Sequence, residues 1–518
     1  MATKELVFGI EARSALARGA EKVCKAVVAT LGPKGRNVII ERQFQQPHVT
    51  KDGVTVAKEI TLKDPFEALG ADLVKEAASK TNDGAGDGTT TATLLAYSIY
   101  KEGSKLVAAG MNPIDVKREI DADVKQVVDK LKMLARPVET NDDIKKIATI
   151  SANGDEKIGG MIAEAIEKIG KDGVIAVKDG QTTETELEVV NGMQFNRGWV
   201  SPYFITDAER SEAVLEDCYV LVADMRVSTI VDLKSVIEAV AKAGKSVAVI
   251  AEEVEGEALP VLIINKQRGT LRVAAARLPG YGDEKRACAD DIAAVTGGKV
   301  IRQDLGFLLE KTSLADLGYA KRITFGKDTT TIVEGGASKD SLEGHIAQLE
   351  RTKEASKNDY EKERLTERIA RLRNGIAVIR VGAATESEAK ERKDRVVDAV
   401  HATKAAISEG IVVGGGKALL EASKHLPHNS VVALACGQPA TQIAENAGKN
   451  GSLIAEKMLA MAPTDGYDAS TGEFGNLIDL GILDPVKVTR LALQNAASVA
   501  GLLITTEAAI TDERIEKK

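Results

Sequence analysis

The stretch Thr81-Asn-Asp-Gly-Ala-Gly-Asp-Gly-Thr-Thr-Thr-Ala-Thr93 constrains this chain more than any other. Gly84, Gly86 and Gly88 permit a tight turn with positive φ and leave room for a bulky anion at the backbone amides. Thr89, Thr90 and Thr91 then open an apolar-periodic run through Leu94, Leu95 and Ile99, which puts their hydroxyls and free amides at a helix N-terminus, where phosphate is favoured. Asp87 sits inside the bend and would repel that phosphate unless a cation lay between them; a carboxylate beside phosphate oxygens is a common holder of Mg2+. The expected ligand is a nucleotide with magnesium. The competing reading is a ligand-free glycine loop before a threonine-capped helix. No Gly-x-x-x-x-Gly-Lys-Ser/Thr sequence occurs, so this is not a Walker A loop, and the preceding segment is helical, so it is not a dinucleotide fingerprint. Asp64 as N-cap, Pro65 at N1, and Phe66, Leu69, Leu73, Val74 and Ala77 on one face predict that helix.

A length of 518 residues suggests roughly three domains. Hydrophobic residues make up 44% but aromatics only 3%, so the cores must be built from Ala, Val, Ile and Leu between helices and sheets. A formal charge of −8 leaves no basic footprint, which disfavours a nucleic-acid partner. Cys24, Cys218, Cys288 and Cys436 are far apart with no Cys-x-x-Cys pairing, which fits a reducing compartment. His425 and His428 lack a third ligand nearby, so no metal site is expected there. Lys4, Glu5, Glu11 and Arg13 interrupt any apolar run at the start, so neither a signal peptide nor a membrane span is expected, and the chain reads as soluble.

Residues 1 to about 135 read as mostly helical, with Ala12 to Val28 at helical spacing and a strand at Val38-Ile-Ile40. Lys34 and Arg36 in the turn between them are either solvated or face a polyphosphate. Val49 to Thr55 reads as a hairpin with Asp52-Gly53 at its tip. Asp172 to Val177 is a predicted strand. From 218 to 302, strands at Tyr219–Val222, Val247–Ile250, Leu271–Ala274 and Lys299–Ile301 alternate with helices at Ile230–Ala243, Glu257–Arg268 and Lys285–Thr296, which argues for a partly parallel α/β domain. Leu342, Ile346 and Leu349, then Leu365, Ile369 and Leu372, predict an antiparallel helix pair. A strand follows at Gly375 to Val381, then a helix at Thr385 to Glu409 carrying Asp398. Val412-Val-Gly-Gly-Gly416 is a near-miss of a Walker loop, without Ser or Thr after Lys417. Asp465 to Gly472 reads as a loop, and Ile482-Leu-Asp-Pro485 as a turn before a final Ala-rich helix.

Taken in order, Thr30-Leu-Gly-Pro-Lys-Gly-Arg-Asn37, Lys51-Asp-Gly53, Gly86-Asp-Gly-Thr-Thr-Thr91, Ile150-Ser-Ala-Asn153, Gly192-Met-Gln-Phe195 with Ser201-Pro-Tyr-Phe204, Gly382-Ala-Ala-Thr-Glu386 and Gly414-Gly-Gly416 resemble the motifs of the group I chaperonins, the GroEL family, over essentially the whole chain. The resemblance implies a multidomain fold: a mostly α-helical equatorial ATPase domain (1–134 and 409–518), a small α/β intermediate hinge domain (135–190 and 376–408) and an α/β apical polypeptide-binding domain (191–375).

It also implies ATP and Mg2+ as cofactors, with K+ as a further ion, and Asp87 as the metal ligand. Thr30, Leu31, Gly32, Pro33, Lys51, Gly86, Gly88, Thr89, Thr90, Thr91, Ile150, Gly414, Gly415, Asp468, Ala469, Ser470, Ile482 and Asp484 would bind the nucleotide, and Asp52 and Asp398 would serve hydrolysis, Asp398 arriving on the hinge as it closes. Trp199, Tyr203, Phe204, Lys234, Ile237, Leu259, Ile263 and Ile264 fall where the family forms its apolar apical groove. Lys234 replaces an apolar residue there, Asp468 stands where an Asn is usual, and the chain ends in Ile515-Glu-Lys-Lys518 without the family's Gly/Met-rich tail. The implied partners are unfolded polypeptides, a heptameric lid-type co-chaperonin, and further copies in one or two seven-membered rings, with no nucleic acid or membrane. The implied location is the cytoplasm of a bacterial-type cell, or the mitochondrial matrix after removal of a transit peptide. Two rivals remain at this point: a small-molecule kinase, and a ring scaffold that binds protein without turnover.

Overall fold

The computed structural model describes residues 3–41, 47–171, 173–180, 182–208, 210–356 and 358–512. Asp172, at the start of one predicted strand, and Ile515-Glu-Lys-Lys518 lie outside them; the strand itself runs Val174–Asp179. The chain forms two units: one from Met1–Glu164, Val177–Glu186 and Arg380–Lys518, the other from Ala165–Ala176 and Leu187–Ile379. Among the described residues no helix is long and apolar enough to cross a membrane.

The first unit is built on long helices, Gly9–Val28, Pro65–Ala85, Thr89–Ala108, Pro113–Leu134 and Val486–Thr505, whose Ala, Val, Ile and Leu faces share one core with the buried Tyr100, and Tyr97 packs against it. Asp64 caps its helix as predicted, accepting from the amides of Phe66 at 2.8 Å and Glu67 at 3.1 Å. Chain ends meet here: Lys4–Phe8 pairs antiparallel with Ala508–Asp512. Three sequence readings are corrected. Val49 belongs to the strand His48–Thr50, paired with Val38–Ile40, and Asp52 caps the helix Gly53–Glu59 instead of sitting at a hairpin tip. Leu483–Pro485 is no turn but a strand on Ile411–Val413. Asp465–Asp468 and Glu473–Asn476 pair into a hairpin where a loop was expected.

In the second unit the strands Ala213–Val227, Ser246–Val254 and Arg272–Arg277 run parallel, Val300–Ile301 joins the first of them in parallel, and Gly318–Phe325, Thr330–Gly335 and Gly192–Phe195 extend the sheet antiparallel. Helices Ile230–Ala243, Ala258–Gln267 and Asp283–Thr296 make the crossovers, close to the bounds read from periodicity. The helix pair Lys339–Ala355 and Asp359–Asn374 buries all six predicted apolar side chains. Arg368 clamps the buried Asp291 with two hydrogen bonds, and His345 adds a third at 2.9 Å, so the pair is tied to the helix Asp283–Thr296.

Candidate nucleotide site and candidate polypeptide-binding face

The helix Pro65–Ala85 ends on Gly86 and the helix Thr89–Ala108 starts from Gly88, both left-handed at φ 70° and 82°. An L side chain pays about 1–2 kcal/mol for that conformation, so glycine is the unstrained choice at both. Gly84 takes no part in the turn, because Gly86 alone ends the helix and Gly84 stays inside its last turn. Thr89, Thr90 and Thr91 open a helix with no side-chain cap, so its first amides are available to an anion.

Between the glycines, Asp87 accepts from the Gly88 amide at 2.5 Å. Burial pushes its carboxyl up; the Gly88 bond opposes this, and the negative charge of Asp52 adds to the rise. Asp484 is pushed up to about 7, by burial and then by Asp87. Asp52, Asp87 and Asp484 therefore share an electrostatic neighbourhood that a divalent cation would relieve. Among the described residues no three His, Cys, Asp or Glu side chains group to hold a metal alone, so an ion at Asp87 would need phosphate and water as further ligands.

Asp52 is occupied structurally. Its carboxylate accepts from Val54 N at 3.1 Å, Thr55 N at 2.9 Å and Thr55 Oγ1 at 2.6 Å, which is why a helix starts where a turn was expected. Gly53 beside it leaves no room for a side chain: a Cβ would sit 2.2 Å from Thr90 Oγ1. The capped turn thus rests on the threonine triplet, and Thr30 Oγ1 lies 3.3 Å from Thr90 Oγ1.

Asp87, Gly88, Thr91 and Asp484 stand at a cavity of about 650 Å³, a size suited to a nucleotide. Leu31, Gly32, Pro33, Asp87, Gly88, Thr91, Ile150, Gly415, Asp468, Ala469, Ser470, Ile482 and Asp484 line it. Thr30, Lys51, Asp52, Gly86, Thr89, Thr90, Gly414 and Asp398 are outside the lining, as are the exposed Lys34 and Arg36. Gly414 packs behind it, where a Cβ would lie 2.9 Å from Asp484 Oδ1. Lys417 is fully buried and donates to Glu421 Oε1 at 2.7 Å and to the Met458 carbonyl, so the near-Walker lysine is a core ion pair and not a phosphate ligand. Burial raises the Asp468 carboxyl, but hydrogen bonds from Ser470 and Thr471 outweigh this and hold it below its ordinary value. Asp398 is half-buried on the helix Glu386–Glu409. One turn later, His401 abuts the phosphate turn: a Cβ on Gly86 would meet its Nδ1 at 2.2 Å.

Several residues here escaped the sequence reading. Asn446 Nδ2 donates to the carbonyls of Val28 and Leu31, each at 2.9 Å, and so fixes the Leu31–Pro33 loop. Asp142, Lys145, Lys146 and Thr149 line the cavity from the helix Asn141–Ser151. Their i, i+3, i+4, i+7 spacing marks one helical face, but nothing local says that this face meets a cavity.

The apical candidates divide by exposure. Tyr203 (62%) and Ile264 (44%) are exposed, joined by Val231 (55%), and Lys234 is exposed one turn after Val231. Trp199, Ile237, Leu259 and Ile263 are half-buried against the core, with Trp199 Nε1 donating to the Ser211 carbonyl at 3.1 Å. Phe204 is fully buried, so its side chain fills the core beneath this face. Lys266 Nζ donates to the carbonyls of Tyr203 and Ile205, both at 2.9 Å, tying the Tyr203 turn to the helix Ala258–Gln267.

This architecture is that of a chaperonin. A similar solved structure is the chaperonin gp146 from bacteriophage EL 2 (Pseudomonas aeruginosa), determined in the presence of ATP-BeFx; it matches 98% of this chain and 99% of its own at 24% identity, with a TM-score of 0.67. The model of the TCP-1/cpn60 chaperonin family matches residues 23–514, and the chain belongs to that family. Membership carries a chaperone role.

Proposed function

We propose that this chain is an ATP-driven protein-folding chaperonin: it captures unfolded polypeptide on its apolar apical face and encloses it in a ring cavity through Mg-ATP binding and hydrolysis. The observation that carries the reading is the Gly86-Asp87-Gly88 turn, uncapped at a helix N-terminus and opening on a nucleotide-sized cavity. Asp87 would hold Mg2+ together with the nucleotide's phosphates, and the ion would neutralise charge on the transferring phosphoryl group. The amides of Thr89 to Thr91 bind phosphate oxygens, Leu31, Ile150 and Ile482 cover the base, and Asp398 orients or deprotonates the attacking water. K+ as a second ion, a lid-type co-chaperonin and a cytoplasmic or mitochondrial location complete the proposal by family likeness.

Ring assembly is supported by two isolated two-stranded sheets, Val38–Ile40 with His48–Thr50 and Lys4–Phe8 with Ala508–Asp512. A lone pair of strands is marginal in water, and these leave Leu6, Phe8, Ile39 and Ile510 exposed, so pairing with another copy would complete both. Light scattering with and without ATP tests the proposal: the parent chain is expected as a seven- or fourteen-subunit particle with ATPase activity, and Ile39→Lys as protomers of unchanged circular dichroism. A monomeric parent, or ATP turnover that requires a metabolite, would sink it.

Lys234 bears on client choice. Exposed on the helix Ile230–Ala243, with the exposed Val231 one turn before it and the exposed Glu238 one turn after, it holds its ammonium in solvent and adds a positive charge beside the apolar candidates. Acidic unfolded clients should therefore be captured better than basic ones at low salt, with the difference fading as salt screens charges beyond about 8 Å at physiological ionic strength. Lys234→Leu should erase the difference and strengthen capture generally. Capture of two denatured proteins of similar size and opposite net charge measures this; no preference in the parent at low salt, or one that survives in the variant, would make Lys234 irrelevant to selection.

A further inference from the structure

The cavity lining contains five carboxyl groups, Asp87, Asp142, Glu156, Asp468 and Asp484, against two ammonium groups, Lys145 and Lys146; even with Asp87 and Asp484 protonated, the other three leave the walls net negative. A nucleoside triphosphate stays anionic after one divalent cation has bound, so such walls oppose it unless a further positive charge faces it. The phosphate turn offers none: it has no lysine, Lys417 is locked in the core by Glu421, and Lys51, beside the Asp52 cap, stands outside the lining.

The two lysines differ in availability. Lys146 is spent: its ammonium lies 2.9 Å from Asp142 Oδ2, and its stem lies against Gly481, where a Cβ would meet Cγ at 3.4 Å. Lys145 has neither a hydrogen-bond nor an ion-pair partner among the described residues, and its side chain is exposed at the cavity wall. It stands on a well-founded helix, whose Thr140–Asp143 capping box and buried Ile144, Ile147 and Ala148 fix which face meets the cavity. We infer that Lys145 is a further nucleotide-binding residue of this chain, a cation supplied from the helix Asn141–Ser151 to the polyphosphate. The inference rests on the nucleotide reading above. It makes Lys145 selective for charge: triphosphate feels it, an uncharged nucleoside does not.

The experiment is equilibrium titration of the full chain with ATP and with adenosine, at about 50 and 500 mM salt, for the parent, Lys145→Gln and Lys145→Arg. Lys145→Gln should weaken ATP binding about 5-fold at low salt, with the gap closing at high salt; Lys145→Arg should restore it, and adenosine should bind all three alike. Equal ATP affinity in the parent and Lys145→Gln overturns the assignment alone. An equal loss for adenosine overturns it too, since the side chain would then act by packing. A parent that binds neither compound overturns the nucleotide reading, and this assignment with it.

Discussion

Asp87→Ala is expected to abolish nucleotide binding and hydrolysis together while leaving the fold intact. The side chain lies between two glycines that set the turn by themselves, and among the described residues its one hydrogen bond is accepted from the adjacent Gly88 amide. Burial and the charge of Asp52 already disfavour its ionised form, so removing it deletes a destabilising charge, and the ligand-free melting temperature should hold or rise. The loss falls on the ligand. If Asp87 holds the ion that neutralises phosphate, its removal costs several kcal/mol, about 10²-fold or more in affinity and in turnover. Parent protein should gain thermal stability with Mg-ATP by mass action, and the variant should not. Thermal shift with and without Mg-ATP, beside an ATPase assay, checks both halves. Unchanged ATPase in the variant would remove Asp87 from the site.

What could be read in the sequence was local. Asp64-Pro65 announces a helix start because both residues act on amides within one turn, and Leu342, Ile346 and Leu349 announce a buried face because helix periodicity is a short-range property. The apical alternation of strands and helices was legible for the same reason. Where tertiary contacts choose between local options, the reading failed. Asp52-Gly53 suits a hairpin tip as well as a helix cap, and what decides is Gly53 packing on Thr90, 37 positions further along the chain. Leu483–Pro485 becomes a strand only because Ile411–Val413 lies beside it. Lys417 looks like a phosphate ligand until Glu421 and Met458 close around it. The pairing of the chain ends, and the contact of His401 with Gly86, have no sequence signal within reach of periodicity or capping.

Asp398→Ala is expected to separate binding from chemistry: ATP affinity within about twofold of the parent, turnover slower by about 10²-fold or more. Asp398 is outside the cavity lining, so its removal takes nothing from the walls that hold the ligand. It shares a helix with His401, which abuts the phosphate turn one turn further on, so under the proposed reading a modest movement of that helix would bring a carboxylate toward the same turn. A group that reaches the attacking water only then contributes to the transition state and not to ground-state binding, and its loss appears in kcat. Asp398→Asn refines the role, since the amide keeps the size and one acceptor oxygen but cannot take a proton. Recovery of most of the rate in Asp398→Asn would mean that the residue orients the water; a rate as low as that of Asp398→Ala would mean that it deprotonates it. Equilibrium binding of ATP and single-turnover hydrolysis, measured on the same preparations, supply both quantities. Equal losses of affinity and rate would make Asp398 a binding residue, and an unchanged rate would exclude it from hydrolysis.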